Sequence, residues 1–282
     1  MAFFRSKKLK LNLNTVVSIS CSLGEGLYLT GATAGWVDIN TNRLLFGHSS
    51  EIAEFHIKSK PSVILEVCGN SVILGCDVGV VLFDTVTHRE KILRNIFGRH
   101  DLALYRSNDG GSYGDYELLS FMHRHNPAEN SGYVYHISGD SWSLLDDSIG
   151  IPNTFIEIQP SKILISDSLD GAIWLFELDS IGRVKNKRLW TKIEDGGSPD
   201  GGCLVGDLVL IALWDAAAIA VFSKNGELID RVSIPVIRPT NCKYDAKNAQ
   251  LWVTSASEGL SESQLSEYPA SGNTFVFDLE FL

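Results

Sequence analysis

The sequence has 282 residues, with 24 Lys and Arg against 34 Asp and Glu and a net charge of −10. This length corresponds to one large domain or two small ones. The acidic balance argues against nucleic acid as a partner, because contact with a phosphate backbone needs clustered Lys and Arg. No run approaches about 18 uninterrupted apolar residues, so we expect no membrane-spanning helix.

The start of the chain is basic and lacks the long apolar stretch of a secretory signal. We therefore expect residues 1–12 to form an N-terminal tail. The five cysteines are odd in number and include no C-x-x-C pair. This disfavours a disulfide framework and favours a reducing compartment, so we expect a cytoplasmic protein.

A unit of two short apolar runs separated by a polar turn recurs along the chain. It occurs at 35–46, 71–84, 116–137, 162–179, 207–222 and 250–278. The mid-strand residues Val37, Gly75, Ser120, Ser166, Ala212 and Thr254 are separated by 38, 45, 46, 46 and 42 residues. This is the spacing of four-stranded propeller blades. We predict an all-β fold, a six-bladed β-propeller that forms a single domain over residues 1–282.

Three segments refine this prediction. Residues 215–220 read DAAAIA, which helix propensity favours, but the repeat predicts a hairpin there. Residues 255–273 interrupt the strands and predict one short helical turn. Because a propeller closes by pairing its two termini, we expect residues 16–21 to complete the blade formed near 275–282.

Polar clusters fall between the strand units, at the loop ends where propellers gather ligands. They contain Glu25, Asn108, Asn153 and Asp200. Each cluster alone is typical of an ordinary turn, but their recurrence at equivalent points of four blades indicates convergence on the central axis. Carboxylate and carbonyl oxygens suit a hard divalent cation. The sequence therefore predicts one oxygen-donor metal site.

Five strings, in this order, carry a family resemblance: SLGEG, RSNDG, IPNTF…ILISDSLDGAIWLFELD, GGSPDGGCLVGDLVLIALW and PVIRPTNCKYDAKNAQLWVTSA. In order and spacing they resemble the gluconolactonase/regucalcin (senescence marker protein) family from about residue 20 onward. The resemblance implies a six-bladed propeller that hydrolyses a sugar lactone with one divalent metal ion. Ca²⁺ is favoured, and Zn²⁺, Mg²⁺, Mn²⁺ and Fe²⁺ remain open.

The resemblance also implies roles for individual residues. Glu25, Asn153 and Asp200 would hold the metal, and Asp200 would also be the general base. Arg106 and Asn108 match positions that orient the substrate, and His125 aligns with a third. The implied partner is a small-molecule sugar lactone, and the oligomeric state stays open.

The sequence departs from the family pattern mainly around the third blade. Phe121 replaces a Thr, which removes a hydroxyl and is expected to add bulk near the pocket. His125 replaces a Glu, Tyr113 stands where Asp is common, and Thr154 replaces a Gly. Phe121 and His125 keep one alternative open, hydrolysis of another lactone, ester or phosphoester on the same metal site, for example an aromatic lactone. The altered substrate side also leaves open a propeller that binds a metal or sugar without turnover. Trp214 is expected in the core, with a place on the pocket wall as the alternative.

Overall fold

The structure is a computed structural model that describes residues 8–31, 33–48, 51–129 and 131–282. Within these residues the chain forms 24 strands and one short helix, arranged as six four-stranded sheets. All strand pairs are antiparallel, as expected of short Val- and Ile-rich runs separated by Gly, Asn and Asp turns. No helix in the described ranges is long and apolar enough to cross a membrane.

The strands of the first half are β1 (Leu9–Val17), β2 (Gly24–Thr30), β3 (Thr33–Asp38), β4 (Arg43–His48), β5 (Glu51–His56), β6 (Pro61–Cys68), β7 (Ser71–Cys76), β8 (Gly79–Asp84), β9 (Arg89–Asn95), β10 (Tyr105–Tyr113), β11 (Tyr116–His123), β12 (Tyr133–Ser138) and β13 (Ser141–Asp146). The remaining elements are β14 (Pro152–Gln159), β15 (Lys162–Asp167), β16 (Ala172–Leu178), β17 (Val184–Lys192), β18 (Ser198–Val205), β19 (Leu208–Trp214), β20 (Ala218–Ser223), β21 (Leu228–Ser233), β22 (Pro239–Asp245), β23 (Gln250–Ser255), α1 (Glu262–Glu267) and β24 (Thr274–Phe281).

Five blades consist of four consecutive strands: blade 1 is β2–β5, blade 2 is β6–β9, blade 3 is β10–β13, blade 4 is β14–β17 and blade 5 is β18–β21. Blade 6 is β22, β23, β24 and β1, in that order. The first strands of successive blades contact each other, and β22 contacts β2, so the ring is closed. The predicted six-bladed β-propeller is confirmed.

The hydrophobic core lies between the faces of neighbouring blades. Between blades 1 and 2, for example, Val37 and Leu44 pack against Ile64, Val72 and Leu74, all of them buried. Equivalent clusters lie between other pairs of blades. Since each blade is buried on two faces, its inner strands are almost continuously apolar. This packing holds the first strand of every blade in place around the central axis.

Blade 6 is completed by β1, which pairs with β24 from Leu9 opposite Phe281 to Val17 opposite Thr274. Closure by the N-terminal segment is as predicted, but the pairing segment begins earlier and ends at Val17 instead of residue 21. Residues 9–12, which were expected in the tail, therefore belong to a strand. Residues 1–7 of the expected tail lie outside the described residues.

The two local predictions agree with the structure. Residues 215–217 form the turn between β19 and β20, so tertiary pairing overrides the helix propensity of the DAAAIA segment. The helix α1 lies within the predicted interruption. Ser261 caps it, because the Ser261 side chain accepts from the Gln264 backbone while the Gln264 side chain accepts from the Ser261 backbone.

Candidate metal-binding and active site

The predicted site residues lie where the innermost strands depart from regular pairing. The register shifts fall between Glu25 and Tyr28 in β2, Ser107 and Gly110 in β10, Asn153 and Ile156 in β14, and Pro199 and Gly202 in β18. A β-bulge sets extra residues of one strand against its partner and re-aims their side chains. Asn108 and Asp200 lie within these shifts, Glu25 and Asn153 border them, and all four residues line a single cavity.

This cavity has a volume of about 540 Å³ and is lined by residues from five of the six blades. Arg106 also lines it, so five of the six residues expected in the site share one cavity. Glu25, Asn108, Asn153 and Asp200 are each at most 7% exposed. Buried polar side chains of this kind need partners or ligands, because an unpaired polar group is costly away from water.

The position of the Glu25 carboxylate depends on the close approach of blade 1 to blade 2. The backbone N–H of Gly26 donates to Glu25 Oε2 at 3.1 Å. Gly26 has a φ of 59°, and a Cβ there would come within 2.5 Å of the Val63 Cα and 2.7 Å of the Ser62 oxygen. Only glycine fits this position, so the GEG string is a steric requirement for placing the Glu25 carboxylate.

A chain of hydrogen bonds joins blades 3 and 4 across the site. Arg106 Nη1 donates to Asn108 Oδ1 at 2.9 Å. Asn108 Nδ2 donates to Asn153 Oδ1 at 2.9 Å and to the Pro152 carbonyl at 3.0 Å. Asn153 Nδ2 donates to Ser168 Oγ at 2.9 Å. The two amides are therefore oriented by their neighbours before any ligand binds.

Asp200 is the least satisfied group of the site. Its Oδ1 is buried and has no hydrogen-bond partner within the described residues. Burial and the charge of Glu25 raise its pKa well above the usual range. Burial and the charge of Asp109 raise the pKa of Glu25 to about 8. The pair of carboxylates is thus placed where water and hydrogen bonds stabilise their charges poorly.

These donors fit a divalent cation. Two carboxylates and the amide oxygen of Asn153 form an all-oxygen set, which suits a hard cation. The unpartnered Asp200 Oδ1 carries lone pairs that would coordinate such an ion. Over the described ranges no group of three His, Cys, Asp or Glu side chains is close enough to hold a metal. The candidate centre therefore depends on an amide as its third ligand.

The sequence profile of the family described as SMP-30/Gluconolactonase/LRE-like region matches residues 23–257. This range covers most of the chain and includes Glu25, Arg106, Asn108, Asn153 and Asp200. The chain belongs to this family.

Relatives of this SMP-30/gluconolactonase family protein include several with lactonase names. A protein of Rhizobium meliloti (strain 1021), provisionally named a sugar lactone lactonase, is 24% identical over 94% of this chain and 93% of its own. L-arabinolactonase of Azospirillum brasilense is 33% identical over 41% of this chain and 39% of its own. Regucalcin of Gallus gallus is 33% identical over 39% of this chain and 38% of its own.

Solved structures share the propeller fold of this family protein. A calcium-binding protein, regucalcin, from Agrobacterium tumefaciens strain C58 superposes with a TM-score of 0.87 and 22% identity, over 96% of this chain and 95% of its own. A luciferin-regenerating enzyme has a TM-score of 0.82 and 18% identity, over 97% and 95% of the two chains. At these identities the likeness shows the fold.

The structure separates His125 from the rest of the site. His125 is exposed and is absent from the side chains that line the cavity. Its backbone N–H lies 3.3 Å from His123 Nδ1, in the segment that follows β11. His125 therefore lies outside the cavity that the other five expected residues share, in the segment that follows the end of β11 at His123.

Phe121 also differs from expectation. It is fully buried and packs on His100, with ring centroids 4.3 Å apart, and on Tyr135. Met122, the next residue of β11, lines the cavity instead. Successive strand residues point to opposite faces, so the bulk expected from Phe121 goes to the core between blades 2 and 3.

The other departures have structural roles. Tyr113 donates its hydroxyl to the Phe155 carbonyl at 2.8 Å and lines a second cavity of about 370 Å³. Thr154 has a φ of 86°, a backbone conformation that favours the glycine usual at this position. Trp214 lies on the wall of the main cavity, in accord with the alternative reading of that residue.

Two buried acids next to the site residues were given no role from the sequence. Asp109 is 3% exposed, and burial raises its pKa to about 6. Asp77 accepts from the Ser107 N–H at 2.9 Å and from Arg124 Nη2 at 2.5 Å, which anchors the start of the Arg106–Asn108 segment. The only available signal was that Asp109 follows Asn108 directly in the RSNDG string.

Proposed function

We propose that the protein is a metal-dependent lactonase that opens a sugar lactone to its aldonic acid. The observation that carries this proposal is the buried Asp200 carboxylate, whose Oδ1 lacks a partner within the described structure, beside Glu25 and Asn153 in one cavity. Membership of the family and the lactonase names of several relatives support the reaction class.

Glu25, Asn153 and Asp200 would hold the metal ion. Ca²⁺ is the favoured ion, because the donors are all oxygens and the regucalcin structure is described as that of a calcium-binding protein. A bound divalent cation would supply Lewis-acid polarisation of the lactone carbonyl.

Asp200 is the proposed general base. Its carboxylate takes a proton from the attacking water, whose oxygen bonds to the carbonyl carbon. The bond between that carbon and the ring oxygen then breaks, and the ring oxygen leaves as a hydroxyl with the proton returned by Asp200. Arg106 donates hydrogen bonds to the substrate, and Asn108 holds the Arg106 guanidinium at the cavity wall through their 2.9 Å hydrogen bond.

A sugar lactone is favoured over an aromatic lactone or a phosphoester. The alternatives were suggested by Phe121 and His125, and neither residue lines the cavity. The polar side chains Arg106 and Ser198 do line it and provide donors for sugar hydroxyls.

The test follows acid release from glucono-, xylono- and arabinono-lactone, with Ca²⁺ and with chelator. We expect turnover that the chelator abolishes and that Asp200→Asn lowers by at least about 10³-fold. Asp207→Asn, at an exposed aspartate in the β18–β19 turn, is the matched control. Full activity in Asp200→Asn or in chelator would refute the mechanism. Calcium binding by calorimetry without turnover of any lactone would instead indicate a non-catalytic binding propeller.

A further inference from the structure

The wall of the main cavity is apolar over a large part of its surface. Apolar side chains reach it from four blades: Leu23, Ile39, Met122, Ile151, Leu169 and Trp214. Leu169 is 44% exposed in the β15–β16 turn, where its backbone N–H donates to Asp167 Oδ1 at 3.0 Å. A leucine fixed in an exposed turn at a cavity mouth offers an apolar surface to whatever enters.

Several polar groups of the same wall are already hydrogen-bonded to each other. Asn108 Nδ2 is engaged by the Pro152 carbonyl and Asn153 Oδ1. Ser168 Oγ donates to the Pro199 carbonyl at 2.7 Å and accepts from Asn153. A ligand hydroxyl placed against these groups would lose its hydrogen bonds to water without gaining equivalent hydrogen bonds to the protein.

The guanidinium of Arg238 is also occupied by contacts within the protein. It lies 4.8 Å from the Trp214 ring centroid, and its Nε donates to Asp215 Oδ1 at 2.5 Å. Its Nη1 donates to the Glu258 carbonyl. With this arginine paired and four acidic residues on the wall, including Asp215 and Glu258, the cavity does not suit an anionic substituent.

We propose that the substrate is a 6-deoxyaldonolactone, whose exocyclic arm ends in a methyl group instead of a hydroxymethyl group. This inference rests on the proposed function, which sets the lactone carbonyl at Asp200. In a 1,4-lactone the arm on C4 then points away from the carbonyl oxygen. Arg106 and Ser198 donate hydrogen bonds to the ring hydroxyls, and the terminal methyl contacts the apolar wall at Met122 and Leu169.

Matched substrates test this directly. L-Fucono-1,4-lactone and L-galactono-1,4-lactone differ by one hydroxyl, as do L-rhamnono- and L-mannono-1,4-lactone, and both pairs are assayed in the D and L forms. We expect kcat/KM for the deoxy member of at least one pair to exceed that of its partner by about 10- to 100-fold, the discrimination that one group in an apolar pocket provides. No pair should show the reverse preference.

The possible failures are distinguishable. Equal turnover within every pair, or turnover of gluconolactone alone, would overturn the substrate class and leave the lactonase proposal standing. No turnover of any lactone would overturn both.

Variants of the cavity wall test whether it causes the preference for the deoxy substrate. Met122→Gln nearly preserves side-chain volume, and Leu169→Gln adds a polar amide at the mouth. Each should bring the ratio of kcat/KM between the two substrates of a pair close to one. Calcium binding, measured by calorimetry, should be unchanged. Leu144→Gln, at a 50% exposed leucine of β13 outside the cavity, should keep the wild-type ratio. A wild-type ratio in both cavity variants would show that the wall does not select the substrate.

Discussion

Thr154 Oγ1 donates a hydrogen bond to the backbone carbonyl of Asp200 at 2.6 Å. The contact joins the first strands of blades 4 and 5 at the residue proposed as metal ligand and general base. Ser166 Oγ lies 2.7 Å from the same hydroxyl, so the position of Asp200 depends on a buried polar network that crosses between blades.

Replacing this hydroxyl should therefore affect the site. In Thr154→Val the Asp200 carbonyl loses its partner, and we expect a loss of about 1–3 kcal/mol in the free energy of unfolding together with several-fold weaker calcium binding. Thr154→Ser keeps the hydroxyl and should restore binding. Denaturant unfolding and calorimetry measure the two effects. Equal calcium affinity in Thr154→Val and wild type would contradict the positioning role.

Calcium should stabilise the folded protein through Asp200. A ligand present at 100 times its Kd stabilises by about 2.7 kcal/mol, which for a chain of 282 residues raises Tm by roughly 5 °C. Asp200→Asn should abolish that rise, and Asp207→Asn should keep it. Thermal denaturation with and without Ca²⁺ provides the measurement, and a full calcium-dependent rise in Asp200→Asn would exclude this carboxylate as a ligand.

Gly26 and Gly69 form a natural pair for testing the blade 1 approach. Both have a φ of 59°, but a Cβ at Gly69 meets nothing within 4 Å, whereas one at Gly26 meets the Val63 Cα at 2.5 Å. Gly69→Ala should cost about 1 kcal/mol from backbone strain alone. Gly26→Ala should cost about 3 kcal/mol or more and weaken calcium binding through the neighbouring Glu25. Denaturant unfolding and calorimetry give both values, and similar results for the two variants would rule out the clash.

His100 should make stability depend on pH. Its ring is stacked on Tyr133, and both ring nitrogens are buried without partners in the described part of the chain. Burial lowers its pKa from 6.5 to about 4. The unfolded chain therefore binds a proton at higher pH than the folded one, and stability falls as pH drops from 6.5 toward 4.

The expected loss from this histidine is about 1–2 kcal/mol after allowance for its partial exposure to solvent. His100→Phe keeps an aromatic ring in the cluster and should flatten this part of the stability profile. His56→Phe, at an exposed histidine, should leave the profile unchanged. Chemical denaturation between pH 4 and 7 gives the comparison, and an equally steep profile in His100→Phe would assign the effect elsewhere.

Much of the fold could be predicted from the sequence because each blade repeats one pattern of apolar runs and turns. The repeat even predicted the turn before Ala218 against local helix propensity. Candidate site residues such as Glu25 and Asp200 could be selected from the sequence because they stand in recurring turn-like strings. The register shifts beside which these residues lie are not visible in such strings.

The substrate side was harder to predict, because a shift of one residue along a strand exchanges its two faces. Phe121 was expected near the pocket, and the structure gives that place to Met122. His125 was expected in the site, but β11 ends two residues before it. Neither outcome is decided by residue type. Each depends on the register of β11 with its neighbours, which is a tertiary property.

The pairing of β1 with β24 has a consequence for biosynthesis. Asn14 and Asp278 are hydrogen-bonded across 264 residues of sequence, so β1 leaves the ribosome long before its partner strand exists. Until then it is a free strand edge that could recruit other chains. Its alternating Lys10, Asn12 and Asn14 keep one face polar during that interval. The last blade to form thus depends on a strand that must remain soluble while it waits for the rest of the protein.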